Sequence, residues 1–159
     1  MPITIEEIRA AGEQADDLHR QSRDPLIATA RQAARDGFSQ REIAAAMGRS
    51  QPEVSRLMRF TPRSEHGKVL ASHRREILSL AREHGFSNVR VFGSTARGED
   101  QPDSDINLLV DRSPTADLFD LGRFEYAVTT LLGPPVDAVP ATSLKPRIAR
   151  TVLAEAIPL

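Results

Sequence analysis

The chain has 159 residues, 27% of them charged and 40% hydrophobic, with a formal net charge of -1 and no cysteine. That length suits one domain or two small ones, and the lack of cysteine excludes a disulfide framework, a thiolate nucleophile and a zinc-cysteine site. No run of about 18 apolar residues is present and the start MPITIEEIRA lacks a basic-then-apolar leader, so a cytoplasmic protein with no membrane segment is expected.

Residues 1 to about 60 carry helical signals only. Thr4 with Glu7 forms a capping box, predicting a first helix from about Ile5 to His19. Leu26, Ile27, Ala30, Ala33 and Ala34 recur at helical spacing, predicting a second helix over 25–36 with Pro25 in its first turn and Gly37 as its stop. Two further capping boxes, Ser39 with Glu42 and Ser50 with Glu53, start only 11 residues apart. A short helix, a turn at Gly48 and another helix must therefore fit between Ser39 and about Phe60.

This spacing places Ile43, Met47, Val54 and Leu57 or Met58 inward and leaves the start of the later helix exposed, which resembles helix-turn-helix DNA-binding modules. Between Arg49 and Arg75, seven basic residues stand against Glu53 and Glu65, so the near-neutral total hides a basic stretch. Gln51 and Arg56 are types that reach base edges, Ser50, Ser55 and Arg59 suit phosphates, and Arg49 is exposed beside them. The competing reading is a small helical bundle whose arginines are a solvated face. A single module of this size binds weakly, so a homodimer on a palindromic operator is the expected mode.

Residues 61–66 are polar and contain Pro62, placing the boundary between a domain at 1–62 and another at 67–159. Beyond it, a helix over 73–84 ends at Gly85, and three short runs rich in β-branched residues, starting at Val89, Ile106 and Val136, read as strands. Helices are expected between Thr115 and Leu132 and around Leu144 to Ala156. The four histidines read as surface residues, and Tyr126 as a core or groove residue.

The chemistry concentrates in VFGSTARGEDQPDSDINLLVD, residues 91–111. Gly93-Ser94 ends a strand at a turn where a phosphate can approach the backbone, and ten residues later Asp105-Ile106-Asn107 opens the next strand. Alternation turns 105 and 107 to one face with Ile106 inward, and Asp137 on a third strand is placed to join them. Oxygen-bearing side chains beside a phosphate cradle suit Mg²⁺-dependent phosphoryl or nucleotidyl transfer.

GlySer-x10-Asp-x-Asn with a later ValAsp resembles the motif of the minimal nucleotidyltransferases of the DNA polymerase β superfamily, over about residues 68–145. The resemblance implies an α+β chain, with a nucleotidyltransferase-fold domain on a short mixed sheet behind the all-α helix-turn-helix domain. It implies Asp105, position 107 and Asp137 as ligands of Mg²⁺ and catalytic residues, Gly93 and Ser94 on the phosphates of ATP, and Arg97 and Arg90 as weaker phosphate contacts. It also implies an antitoxin that silences a cognate HEPN-type or nucleotidyltransferase-type toxin by transferring AMP or by binding it; the DNA reader in the same chain adds the expectation of autorepression through the helix-turn-helix. The family pattern has aspartate at position 107, and Asn107 brings no charge to the metals. An engineered substitution, a natural loss of activity and a slow enzyme all account for it; the intact surroundings favour the first and last. A nucleotide-sensing regulator with an inactive domain is the alternative, and an antibiotic nucleotidyltransferase would leave the DNA reader without a purpose.

Overall fold

The computed structural model describes residues 2–159, and the chain forms two compact units, Met1–Met58 and Arg59–Leu159. No helix among the described residues is long and apolar enough to cross a membrane.

The first unit is helical. Helix α1 (Ile5–Arg35) runs for 31 residues with Pro25 inside it, where the sequence reading has two helices. Nothing between His19 and Pro25 breaks a helix, and the single amide hydrogen bond that Pro25 forfeits does not outweigh the bonds on either side. Helices α2 (Gln40–Met47) and α3 (Gln51–Met58) are joined through Gly48, whose left-handed φ of 63° reverses the chain in three residues. Ala30, Ile43, Ala44, Val54 and Met58 form a small core, with Ala33 and Met47 packed against it.

All three capping boxes form. The backbone amides of Thr4, Ser39 and Ser50 donate to Glu7, Glu42 and Glu53 at 2.8, 2.8 and 2.7 Å. These amides, and then the three hydroxyls, hold each glutamate's carboxyl below its ordinary value. Since the folded values lie below the unfolded ones, the contribution is complete above the unfolded glutamate value of about 4.3 and is lost as pH falls through the folded values. Circular dichroism from pH 7 to 3 should show helix loss in that window, and the triple variant Glu7→Gln, Glu42→Gln, Glu53→Gln should lose that part of the pH dependence.

The second unit opens with α4 (Glu65–Ser72), which starts on the Ser64 hydroxyl, and α5 (Arg74–Glu83). Helix α4 lies where a boundary and the approach to a single helix at 73–84 are expected, and it buries His66, correcting the surface assignment of that histidine. The remaining elements are β1 (Phe86–Phe92), α6 (Ser94–Arg97), β2 (Ile106–Arg112), α7 (Leu118–Leu132), β3 (Val136–Pro140), α8 (Pro146–Glu155) and β4 (Ile157–Pro158). The sheet order is β3-β2-β1-β4, with β2 and β3 parallel and the other pairs antiparallel. Alternation on the strands sends Val89, Val91, Ile106, Leu108, Val110, Val136 and Ala138 into one core with Leu70, Ile77, Phe86, Phe124 and Val128. Phe86 and Phe124 pack with ring centroids 5.6 Å apart. Tyr126 lies on the opposite side of α7 and is 76% exposed, so it is neither core nor groove.

Candidate active site

The ends of β1, β2 and β3 meet at one place. Val136 and Ala138 are buried, so alternation leaves the intervening Asp137 on the outer face; buried Ile106 and Leu108 do the same for Asn107 on β2. The parallel register sets Asn107 opposite Asp137, and the antiparallel register sets Phe92 opposite Asn107. Gly93 follows Phe92 with φ 76° and ψ -155°, a conformation that L side chains rarely adopt. A Cβ there would stand 2.8 Å from Nδ2 of Asn107, so the turn at 93 rests directly against the side chain at 107. Ser94 is half-buried at the start of α6, and Asp105 is exposed just ahead of β2. Gly93 and Asp137 each stand beside Asn107.

Helix α7 fixes the open edge of β3. Ile106 donates to the Pro135 carbonyl, so in this ladder the amides of Val136 and Ala138 point away from β2. Val136 N–H donates to Thr129 Oγ1 at 3.0 Å and Ala138 N–H to Glu125 Oε1 at 2.8 Å. Thr129 and Glu125 are one helical turn apart and clamp the amides on either side of Asp137. Burial pushes the Glu125 carboxyl up, the Ala138 amide pulls it down, and the Asp137 carboxylate beside it adds to the rise. Sequence reasoning missed both residues; the available signal is that each directly follows a core residue, Phe124 and Val128, on the α7 stripe.

Within the ten-residue interval of the motif, Asp100 Oδ2 lies 3.5 Å from His66 Nδ1 of α4, and both side chains are buried. Two arginines proposed for phosphates already have partners. Arg97 pairs with Glu99 at 2.8 Å and with Glu155, and Arg90 pairs with Asp111 at 2.6 Å. A phosphate would have to compete with these carboxylates. Among the described residues no three His, Cys, Asp or Glu side chains cluster closely enough to hold a metal ion.

A sequence profile for "Nucleotidyltransferase domain" matches residues 73–159, more than half of the chain. The chain belongs to the nucleotidyltransferase domain family. Protein adenylyltransferase MntA of Thermococcus cleftensis is 39% identical over 89 residues, which is 56% of this chain and 87% of that protein. A relative from Methanocaldococcus jannaschii, also named for protein adenylyltransferase activity, is 34% identical over 53% of this chain and 90% of its own. A solved minimal nucleotidyltransferase is 46% identical, covers 58% of this chain and 95% of its own, and superimposes with a TM-score of 0.55. In this nucleotidyltransferase domain Gly93, Ser94, Asp105, Asn107 and Asp137 occupy the ends of β1, β2 and β3; the profile covers none of residues 1–72.

The DNA-binding candidates in α3 have distinct surroundings. Arg49 and Arg56 are exposed and line, with Arg23 and His19 of α1, an open groove of about 220 Å³. Ser50 is engaged in its capping box and Gln51 Nε2 donates to Gln40 Oε1 at 2.6 Å, tying α3 to α2. Ser55 and Arg59 are half-buried, and Arg59 belongs to the second unit.

Proposed function

We propose that the second unit transfers a nucleotidyl group, AMP from ATP, to a hydroxyl of a cognate toxin, and that the chain is the antitoxin of that pair. The observation that carries this reading is the placing of Asn107 against Gly93 and opposite Asp137. The adenylyltransferase names of the relatives support the choice of AMP and of a protein acceptor. In the reaction, the acceptor oxygen bonds to the α-phosphorus, the bond to the β-phosphate bridging oxygen breaks, and pyrophosphate leaves.

The cradle at Gly93 and the oxygen donors of Asp105, Asn107 and Asp137 suit Mg²⁺ held with the triphosphate. When bound, that ion supplies positive charge that offsets the charge of the phosphates. Gly93 admits the phosphates close to the backbone and Ser94 donates to their oxygens. Asp137, held by the clamp from α7, accepts the proton of the attacking hydroxyl. Asn107 supplies an oxygen without charge, which favours one ion over two. The test incubates the chain and its Asn107→Asp form with Mg²⁺, α-labelled ATP and the product of the adjacent gene. Label on that protein is expected; no label on any protein or RNA from the aspartate form defeats the reading.

The amide at 107 favours one alternative, a regulator whose second unit binds nucleotide and catalyses nothing. In that case nucleotide changes operator affinity while the Asn107→Asp form yields no product.

The first unit we propose as a helix-turn-helix that represses the chain's own operon, with two copies on a palindromic operator. Two eight-residue helices joined across the left-handed Gly48, with Arg49 exposed just ahead of the second and Arg56 exposed in its last turn, support it. In a mobility-shift assay with the upstream DNA, Arg56→Ala should weaken operator binding by roughly 10-fold. Arg49→Ala, losing a phosphate contact, should lower the slope of log affinity against log salt by about 1. Unchanged binding for both variants removes α3 as the reader.

A further inference from the structure

Helix α1 flanks α3 with a row of side chains that the core of the first unit does not use. His19, Ser22, Arg23 and Leu26 recur at three- and four-residue spacing and share one side of α1. Across from them stand Glu53, Arg56 and Leu57 of α3, with Arg49 just ahead of that helix. Together they wall the open groove of about 220 Å³. Leu26 and Leu57 are half-buried and give it an apolar part, whereas His19, Arg23, Arg49 and Arg56 are exposed along it.

The charge of this groove is positive and uncommitted. Among the described residues no carboxylate forms an ion pair with Arg23, Arg49 or Arg56. Glu53 is the one acid in the wall, and its Oε2 accepts from the amide and the hydroxyl of Ser50 at 2.7 and 2.9 Å. Three guanidiniums beside one engaged carboxylate suit an anion, and their planar forks match phosphate oxygens in particular. Shape narrows the class further. Pockets that enclose a small molecule usually measure about 300–1,000 Å³ and cover most of it. This groove is smaller and open, which suits a strand passing through it. We propose that the groove between α1 and α3 holds the sugar-phosphate backbone of a nucleic-acid duplex, with Arg23 and Arg49 on its phosphates and Leu26 and Leu57 against a sugar. Helix α1 lies outside the two-helix motif, so a third helix joins the DNA contact. The proposal rests on the helix-turn-helix reading for the presence of DNA, but a backbone contact is blind to sequence. A chain that binds operator and unrelated duplex equally would defeat the operator reading and leave this one intact.

Salt titration of the full chain on both duplexes tests the contact. Arg23→Ala should keep its helicity by circular dichroism and lower the slope of log affinity against log salt by about 1 on each duplex; Arg23→Ala with Arg49→Ala should lower it by about 2. Arg20→Ala is the control, because Arg20 lies about 100° round α1 from His19 and pairs with Asp17; its slope should not change. The chain contains no cysteine, so Ser22→Cys reports on the groove through its rate of reaction with a maleimide. Duplex at about ten times its Kd leaves roughly a tenth of the sites free and should slow that rate about 10-fold. AMP, and a glutamate oligomer of the same charge as the duplex, should leave the rate unchanged at the same concentration. An unaltered slope for Arg23→Ala, a Ser22→Cys thiol unprotected by bound duplex, or no binding to either duplex overturns the proposal. Protection by AMP would assign the groove to a free nucleotide and protection by the glutamate oligomer to an acidic protein, and either result overturns it as well.

Discussion

Replacing Asn107 by Asp should raise Mg²⁺-dependent nucleotidyl transfer by at least about 100-fold, since losing even an outer-shell partner of a metal typically costs 10–100-fold. The two side chains have the same shape, so the substitution changes charge and leaves packing alone. Its location makes the effect large, because residue 107 stands opposite Asp137 in the parallel ladder and against Gly93. Two facing carboxylates repel one another without a cation and gather divalent ions when these are present. Thermal melts provide a readout apart from turnover. With nucleotide present, the aspartate form should gain clearly more melting temperature from Mg²⁺ than the parent chain does. Equal Mg²⁺ responses in the two forms, together with absent product, would show that position 107 is not at a metal site.

Gly93→Ala should abolish nucleotide binding and destabilise the second unit by about 1–3 kcal/mol. Two physical terms act together. A φ of 76° with ψ of -155° is strained for any residue with a Cβ, and that Cβ would press on the Asn107 amide at 2.8 Å. Relief requires the turn to lift away from β2, which opens the place where phosphates are proposed to sit. Gly122→Ala is the matched control, because it lies in α7 with nothing within 4 Å of the added methyl. That change should stabilise by up to about 1 kcal/mol through helix propensity. Calorimetric titration with ATP and Mg²⁺ checks the binding claim; normal affinity for the Gly93→Ala chain would move the phosphate position elsewhere.

Much of the local geometry around the candidate site is legible in the sequence because its signals are local. Alternation along β2 depends only on chain geometry, so the outward turn of Asn107 between buried Ile106 and Leu108 follows from the order Ile-Asn-Leu. The capping boxes are three-residue relations and form as read. The misses share a different cause. Pro25 looked like a helix start because a lone proline is punctuation in sequence, whereas helical residues on both sides carry α1 straight through it. Arg97 and Arg90 looked available to phosphates until folding brought Glu155 and Asp111 to them from distant positions. His66 and Tyr126 were misassigned because burial on an amphipathic helix depends on which neighbour covers which side.

The amino-acid order by itself determined where the three helices with capping boxes begin, which strand residues turn inward, and that a GlySer turn precedes Asp105 and Asn107 by a set spacing. All of these are relations between residues a few positions apart, governed by dihedral preference and periodicity. Only the tertiary structure decided that Asp137 lies opposite Asn107, that Thr129 and Glu125 clamp the strand bearing it, and that Arg23 of α1 lines one groove with Arg49 and Arg56. Those outcomes depend on strand register and on which surfaces meet, and non-local packing selects both.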